Sequence, residues 1–254
     1  MWPEPRFAPV AHAHRAYSEM PATVYAIGDV HGELDLLDRL IGVILDDAAR
    51  RPDATEIVLL GDLVDRGPDS AGVLDRVREL EATRPSGARV RTVLGNHESY
   101  MLACLGGCAD PGIVAGWLQY GGRSTLASLG VAPVDRPDWA VVGDAALGGE
   151  RRAWLEALPR LIRVGDLVCV HAGIDPDRTL DDQDPEDLIW TRTARFLRHL
   201  DHPCLVVHGH TPTAAPEIAG ARVGIDTGAV YGRVLTAARF GPDGLALAGI
   251  SAAR

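Results

Sequence analysis

Thr23-Val24-Tyr25-Ala26-Ile27-Gly28-Asp29-Val30-His31-Gly32 is an apolar run that stops at Gly-Asp. A buried strand followed at once by a tight turn reads this way. The pattern returns twice. Ile57 to Leu60 leads into Gly61-Asp62-Leu63-Val64-Asp65-Arg66-Gly67, and Val90 to Leu94 leads into Gly95-Asn96-His97-Glu98. Between these runs lie helical patterns. Glu33 to Ala49 places Leu34, Leu37, Ile41, Ile44 and Leu45 on one face, and Pro68-Asp69-Ser70 opens a second helix carrying Val73, Leu74, Val77 and Leu80. Strand, helix, strand, helix, strand is βαβ arithmetic, so the first hundred residues predict a mainly parallel sheet with right-handed crossovers. Ligands of such sheets bind beyond the carboxyl ends of the strands. Asp29, Asp62 and Asn96 all sit at such ends, and strand pairing brings them together.

Further along, Leu167 to Val170 runs into His171-Ala172-Gly173, and Leu205 to Val207 into His208-Gly209-His210-Thr211. Val223 to Ile225, Val234 to Ala238 and Leu245 to Ile250 read as a closing antiparallel group, with Gly241-Pro242-Asp243-Gly244 as its turn. The division expected is a loose N-terminal arm over 1–20, without the apolar core of a signal peptide, and a single domain over 21–254. That domain carries a mainly helical insertion at about 99–163, packed beside the site.

A chain of 254 residues can bury one full core. Its net charge of −10 argues against general nucleic-acid binding, because phosphate backbones attract Lys and Arg. No apolar run is long enough to span a membrane. Of the four cysteines, Cys104 and Cys108 lie at i,i+4, and Cys169 and Cys204 precede His171 and His208. No second pair completes a sulfur metal site, so all four read as reduced thiols of a cytoplasmic protein.

The strand ends supply carboxylate, amide and imidazole groups, the ligand mix of a hydrolytic two-metal centre rather than a structural zinc site. Asp29, His31 and Asp62 can hold one metal. Asp62, Asn96, His171 and one of His208 and His210 can hold a second, with Asp62 as the bridge. Such a pair clamps attacking and leaving oxygens and makes a bridging hydroxide available near neutral pH for in-line attack on phosphorus. The extended strand places His208 and His210 on the same side, so physics alone leaves the choice between them open. Arg66 can fork two phosphate oxygens. Arg192 is either a second clamp or a surface partner of the acidic run Asp181 to Asp187. His97 points away from the metal side and can protonate the leaving oxygen, with Asp65 holding its other nitrogen. Glu98 either supports the ligands or opens the next helix.

At these residues the chain resembles the phosphoprotein phosphatase family of calcineurin-like metallophosphoesterases, nearest the bacterial and phage serine/threonine phosphatases. The resemblance implies an α/β fold of two packed sheets flanked by helices, four layers α/β/β/α. It matches Asp29, His31, Asp62, Asn96, His171 and His210 to metal ligands. It matches Arg66, Arg192 and Asn96 to phosphate contacts, and Asp65 and His97 to the catalytic pair. It implies two divalent ions, Mn2+ foremost, with Fe, Zn, Co, Ni or Mg as alternatives. The substrate would be a phosphorylated protein or a small phosphorylated molecule. A further block, Ile225-Asp226-Thr227-Gly228-Ala229-Val230-Tyr231-Gly232, is similar to one in symmetrical diadenosine tetraphosphatases. Those enzymes commonly carry Ala where Asp65 stands and Asp where Glu98 stands, so the expectation leans to a serine/threonine phosphatase, with the dinucleotide hydrolase as alternative. A non-catalytic phosphoprotein- or metal-binding relic is the third reading; it would be expected to lack a ligand or His97, and none is missing.

Overall fold

The computed structural model describes residues 5–51, 54–107, 110–132, 138–198 and 200–252; Cys108 lies outside them. In chain order the elements are β1 (Ala8–Val10), β2 (Thr23–Ile27), α1 (Leu34–Ala48), β3 (Thr55–Leu59), α2 (Ser70–Thr83), β4 (Arg89–Thr92), α3 (Asn96–Leu105), α4 (Pro111–Trp117), α5 (Arg123–Ser128) and α6 (Trp139–Glu156). The second half continues with β5 (Leu161–Val164), β6 (Leu167–Val170), α7 (Asp187–Trp190), α8 (Ala194–Arg198), β7 (Leu205–His208), β8 (Glu217–Ala219), β9 (Arg222–Gly224), β10 (Val234–Gly241) and β11 (Gly244–Ser251).

Two mixed sheets result. The first runs β1-β11-β10-β2-β3-β4 and the second β5-β6-β7-β9-β8. The β2-β3-β4 block is parallel, as βαβ arithmetic requires, with Ile27 opposite Leu59 and Leu59 opposite Thr92. Side chains alternate across each strand and so sort into layers. Tyr25, Ile27, Ile57 and Leu59 face a core shared with α1 and α2, where Leu37, Leu40, Ile44, Val73 and Val77 pack. Val24, Ala26, Val58 and Leu60 face the second sheet, against Leu167, Cys169, Leu205 and Val207. The other face of that sheet, Val168, Val170 and Val206, packs on Leu188, Ile189 and Phe196 of α7 and α8. Helix, sheet, sheet, helix is therefore the layer order.

Three expectations differ from this architecture. The segment read as a loose arm is docked over its described residues: β1 pairs antiparallel with β11, and Ala16 and Tyr17 are buried. Pro9 sits in β1 because that strand is an edge, where one side needs no ladder partner. The closing group does not form as one unit. β10 and β11 join the first sheet, whereas β9 pairs parallel with β7 in the second. Finally, Leu161–Val164, assigned to the helical stretch, is a strand antiparallel to β6.

Candidate active site

The turns after β2, β3, β4, β6 and β7 converge on one spot. The first two are stitched together: the N–H groups of Val30 and His31 donate to Asp62 O at 3.1 and 2.8 Å. Gly61 and Gly95 meet backbone to backbone, and a Cβ on Gly61, at φ +86°, would stand 2.5 Å from Gly95 N. Seven described non-glycine residues have positive φ, and five of them, His31, Asp62, Asp65, Arg66 and His210, are site candidates. Backbone strain of that kind persists where surrounding structure over-determines it, and it concentrates at functional sites.

Glu98 binds these turns. Its carboxylate accepts from the N–H groups of Asp62, Leu63, Val64 and Gly95 at 2.7–3.1 Å. It also stands at the third position of α3, so both roles expected of it hold. Burial, then the Asp62 charge, pushes its pKa up.

Asp62 is buried, with its two oxygens turned to different histidines. Oδ2 lies 3.5 Å from His31 Nε2, and Oδ1 lies 3.3 Å from His171 Nε2. Among the described residues two groups could hold a metal ion: His31, Asp62 and His97, and Asp62, His171 and His210. Asn96 Oδ1 adjoins the second group, 2.8 Å from His171 Nε2 and 2.9 Å from His210 Nδ1. Asp29 belongs to neither group. Its oxygens accept from the His210 N–H at 3.1 Å, and its carboxyl shares a hydrogen bond with Asp226. Burial, then the charges of Asp226 and Asp62, raises the Asp29 pKa well above the carboxylate range. Burial raises Asp226 as well.

The donor set fits a cation. His31 Nδ1 meets Val64 O at 2.7 Å and His171 Nδ1 meets Leu60 O at 2.8 Å. A carbonyl only accepts, so each neutral ring carries its proton on Nδ1. The His171 Nε2 lone pair then faces Asp62 and Asn96 oxygens, acceptor against acceptor, and the His31 Nε2 lone pair faces Asp62 oxygen beside the Arg66 guanidinium. Protonation is a poor remedy, because burial lowers the His171 pKa and brings His31 to about 3 and His210 to about 2. Burial alone would raise the Asp62 pKa, but the neighbouring imidazoles of His171, His97, His31 and His210 outweigh it and lower it. Buried lone pairs around an ionised carboxylate are what a divalent ion needs.

His210 and His208 separate cleanly. His210 has φ +65°, which breaks the alternation of an extended strand and swings its ring into the centre. His208 turns away, with Nε2 2.9 Å from an Arg222 nitrogen and its ring against Phe196.

Around this centre stand the other candidates. His97 Nδ1 is 2.7 Å from Asp65 Oδ2. Burial disfavours a charged His97 ring, but the Asp62 charge and the bond and charge of Asp65 outweigh it and raise the pKa. Arg66 places one guanidinium nitrogen on His31 Nε2 and the other 2.8 Å from His97 Nε2. Arg192 donates from Nε to His210 Nε2 at 3.0 Å, so it lies at this centre rather than on the acidic run.

Four contributors were not singled out from the sequence. Asp226 follows an apolar strand, the same signal that marks Asp29 and Asp62, and could have been found that way. Trp117, Thr125 and Gly121 have no such mark. Trp117 Nε1 lies 3.2 and 3.1 Å from the two Asp65 oxygens, and Thr125 Oγ1 donates to Asp65 Oδ1 at 2.6 Å. Gly121, at φ +124° inside the turn Leu118–Gly122, accepts from Arg66 N through its carbonyl at 3.4 Å.

The profile of the calcineurin-like phosphoesterase family matches residues 22–232. A symmetrical bis(5'-nucleosyl)-tetraphosphatase of Acidovorax sp. (strain JS42) is 32% identical over 233 residues, covering 87% of this chain and 68% of that protein. A relative of the same name from Methylococcus capsulatus is 34% identical, covering 60% of this chain and 44% of its own length. A solved structure provisionally assigned as a diadenosine tetraphosphatase superposes with TM-score 0.62 at 23% identity, covering 90% of this chain and 94% of that one, a likeness of fold.

Proposed function

The chain belongs to the calcineurin-like phosphoesterase family, and from that premise we propose that it hydrolyses the phosphate bridge of a dinucleoside polyphosphate. The observation that carries the reading is the split Asp62 carboxylate, one oxygen toward each histidine group. His31 and Asp62, with Asp29 turned in from its bond to the His210 N–H, would hold one divalent ion, and Asp62, Asn96, His171 and His210 would hold the other. Bound there, such ions would supply Lewis-acid charge and lower the pKa of a water. The chain's own groups do the rest. Arg66 and Arg192 take non-bridging oxygens, Asn96 orients the same phosphate, and His97, held by Asp65, delivers the proton to the departing oxygen. The names of the relatives favour this substrate over the phosphoprotein that the motifs suggested.

Phosphomonoester hydrolysis, including that of phosphoserine and phosphothreonine, is the second reading. The bonded Asp65–His97 pair favours it, because an alkoxide leaving group needs a proton far more than a nucleoside diphosphate does. No described helix is long and apolar enough to cross a membrane, and buried Cys169 and Cys204 thiols suit a reducing, cytoplasmic setting. A metal-supplemented panel tests the reading. Diadenosine tetraphosphate should be cleaved at higher kcat/KM than phosphoserine peptides; the reverse order would install the monoesterase reading, and no turnover of either would leave a binding relic.

A further inference from the structure

The described residues expose few large hydrophobic side chains, namely Ile113, Tyr120, Val141, Trp190 and Tyr231. Three of the five, all aromatic, line one cavity of about 830 Å3 that Arg66, Asn96, His97, Arg192 and His210 also line. Exposed aromatic surface gathered around a polar centre marks a binding function rather than packing. Tyr120 is 59% exposed, Tyr231 57% and Trp190 41%.

The three divide between the two arginines. The Tyr231 ring lies 5.9 Å from the Arg66 guanidinium carbon. Tyr120 stands on the turn Leu118–Gly122, where the next residue, Gly121, accepts from Arg66 N. Trp190 belongs to the other arginine. Its ring meets the edge of His210 at 6.5 Å, and His210 Nε2 accepts from Arg192. Tyr100 supports it edge-on at 6.0 Å. Each of the two arginines therefore has an aromatic group near it, contributed by different elements.

We infer that Tyr120 with Tyr231, and Trp190 separately, are two base-stacking stations that hold the two nucleobases of a dinucleoside polyphosphate lying across the centre. The inference rests on the proposed dinucleotide reading and adds to it the residues that select the ends of the substrate. A ligand with a flat aromatic group at each end of a polyphosphate satisfies both stations and both arginines. A phosphoserine peptide satisfies neither station. Stacking suits the task because every base presents a π-face, so the stations would favour nucleotides over bare phosphates without choosing strongly among bases.

The test measures binding, not turnover. With Mn2+ added, the Kd of α,β-methylene-adenosine diphosphate is compared with that of methylenediphosphonate, the same non-hydrolysable bridge without a base. The wild-type protein should bind the nucleotide about 5- to 100-fold more tightly. Trp190→Ala and Tyr120→Ala should each shrink that ratio, and Trp190→Phe, which keeps a ring, should retain most of it. A ratio near one in the wild type, or a ratio that neither alanine variant changes, overturns the inference. If diadenosine tetraphosphate is not hydrolysed, the proposed function fails on its own assay, and the binding ratio still decides whether the stations exist.

Discussion

The strand-end turns and the helical segment from α3 to α6 reach the same atoms by opposite means. The turns put His31, Asp62, Asp65, Arg66 and His210 on left-handed backbone, which costs on the order of 1–3 kcal/mol per residue. That cost is met by glycine-to-glycine contact and by the Glu98 carboxylate. The helical segment contributes two side chains that lean in from α4 and α5 and one backbone carbonyl, that of Gly121 at φ +124°. Trp117 and Thr125 hold the Asp65 carboxylate, and Gly121 holds the Arg66 backbone. The lesson is a division of labour: the turns fix where charge sits, and the helices fix how the charged groups are aimed.

The largest effect should come from the turns. Asp62→Asn removes the charge shared by both histidine groups, so metal affinity should fall by more than the roughly 10–100-fold typical of losing a supporting partner, and turnover should become undetectable. Elemental analysis checks it; a variant that keeps two tightly bound ions would show that Asp62 bridges nothing. His97→Asn comes next. Turnover of phosphoserine substrates should drop by about 10²–10⁴-fold with metal content intact, and the loss should shrink for nitrophenyl phosphate. Equal losses on both substrates would remove the acid role from His97.

Arg66→Ala should weaken inhibition by inorganic phosphate by about 10–100-fold, the scale of a lost hydrogen bond to a charged group. Arg66→Lys should recover only part of it, because an ammonium has no fork. Unchanged phosphate inhibition would move the clamp to Arg192. The smallest expected effect tests the helices. Trp117→Phe keeps a ring but deletes the N–H near Asp65, and should slow phosphoserine turnover about 10-fold, near 1.4 kcal/mol. Nitrophenyl phosphate should be affected less. A uniform loss on both substrates would mean that the helical segment acts only by packing, and the division of labour would collapse.

Legibility in the sequence follows the same line. Asp29, Asp62 and Asn96 are legible at the strand ends because a strand end is a local event, an apolar run meeting Gly and then a carboxylate or amide. His208 and His210 could not be told apart by alternation, because the deciding fact is one positive φ that an extended-strand argument excludes. Val223 to Ile225 was correctly apolar, but a three-residue strand does not announce its partner, and it went to β7 rather than β10. Leu161–Val164 was missed because four residues beside a long helical pattern carry little period-2 signal. Trp117 and Thr125 look like any helical tryptophan and threonine; what makes them matter is distance to Asp65, which has no trace in local pattern.

The order of strands in the first sheet has a consequence for synthesis. β2, which carries Asp29 at its end, has β3 on one side and β10, some two hundred residues later, on the other. As the chain emerges from the ribosome, β2, β3 and β4 can pair early, yet one flank of β2 waits for Val234–Gly241. During that wait it is an open edge of buried-type residues, Val24, Tyr25, Ala26 and Ile27, the kind of template on which other chains pair. Release before residue 234 would strand the nascent chain in that state. That flank closes only when β10, the first strand of the last hairpin described, pairs antiparallel with β2.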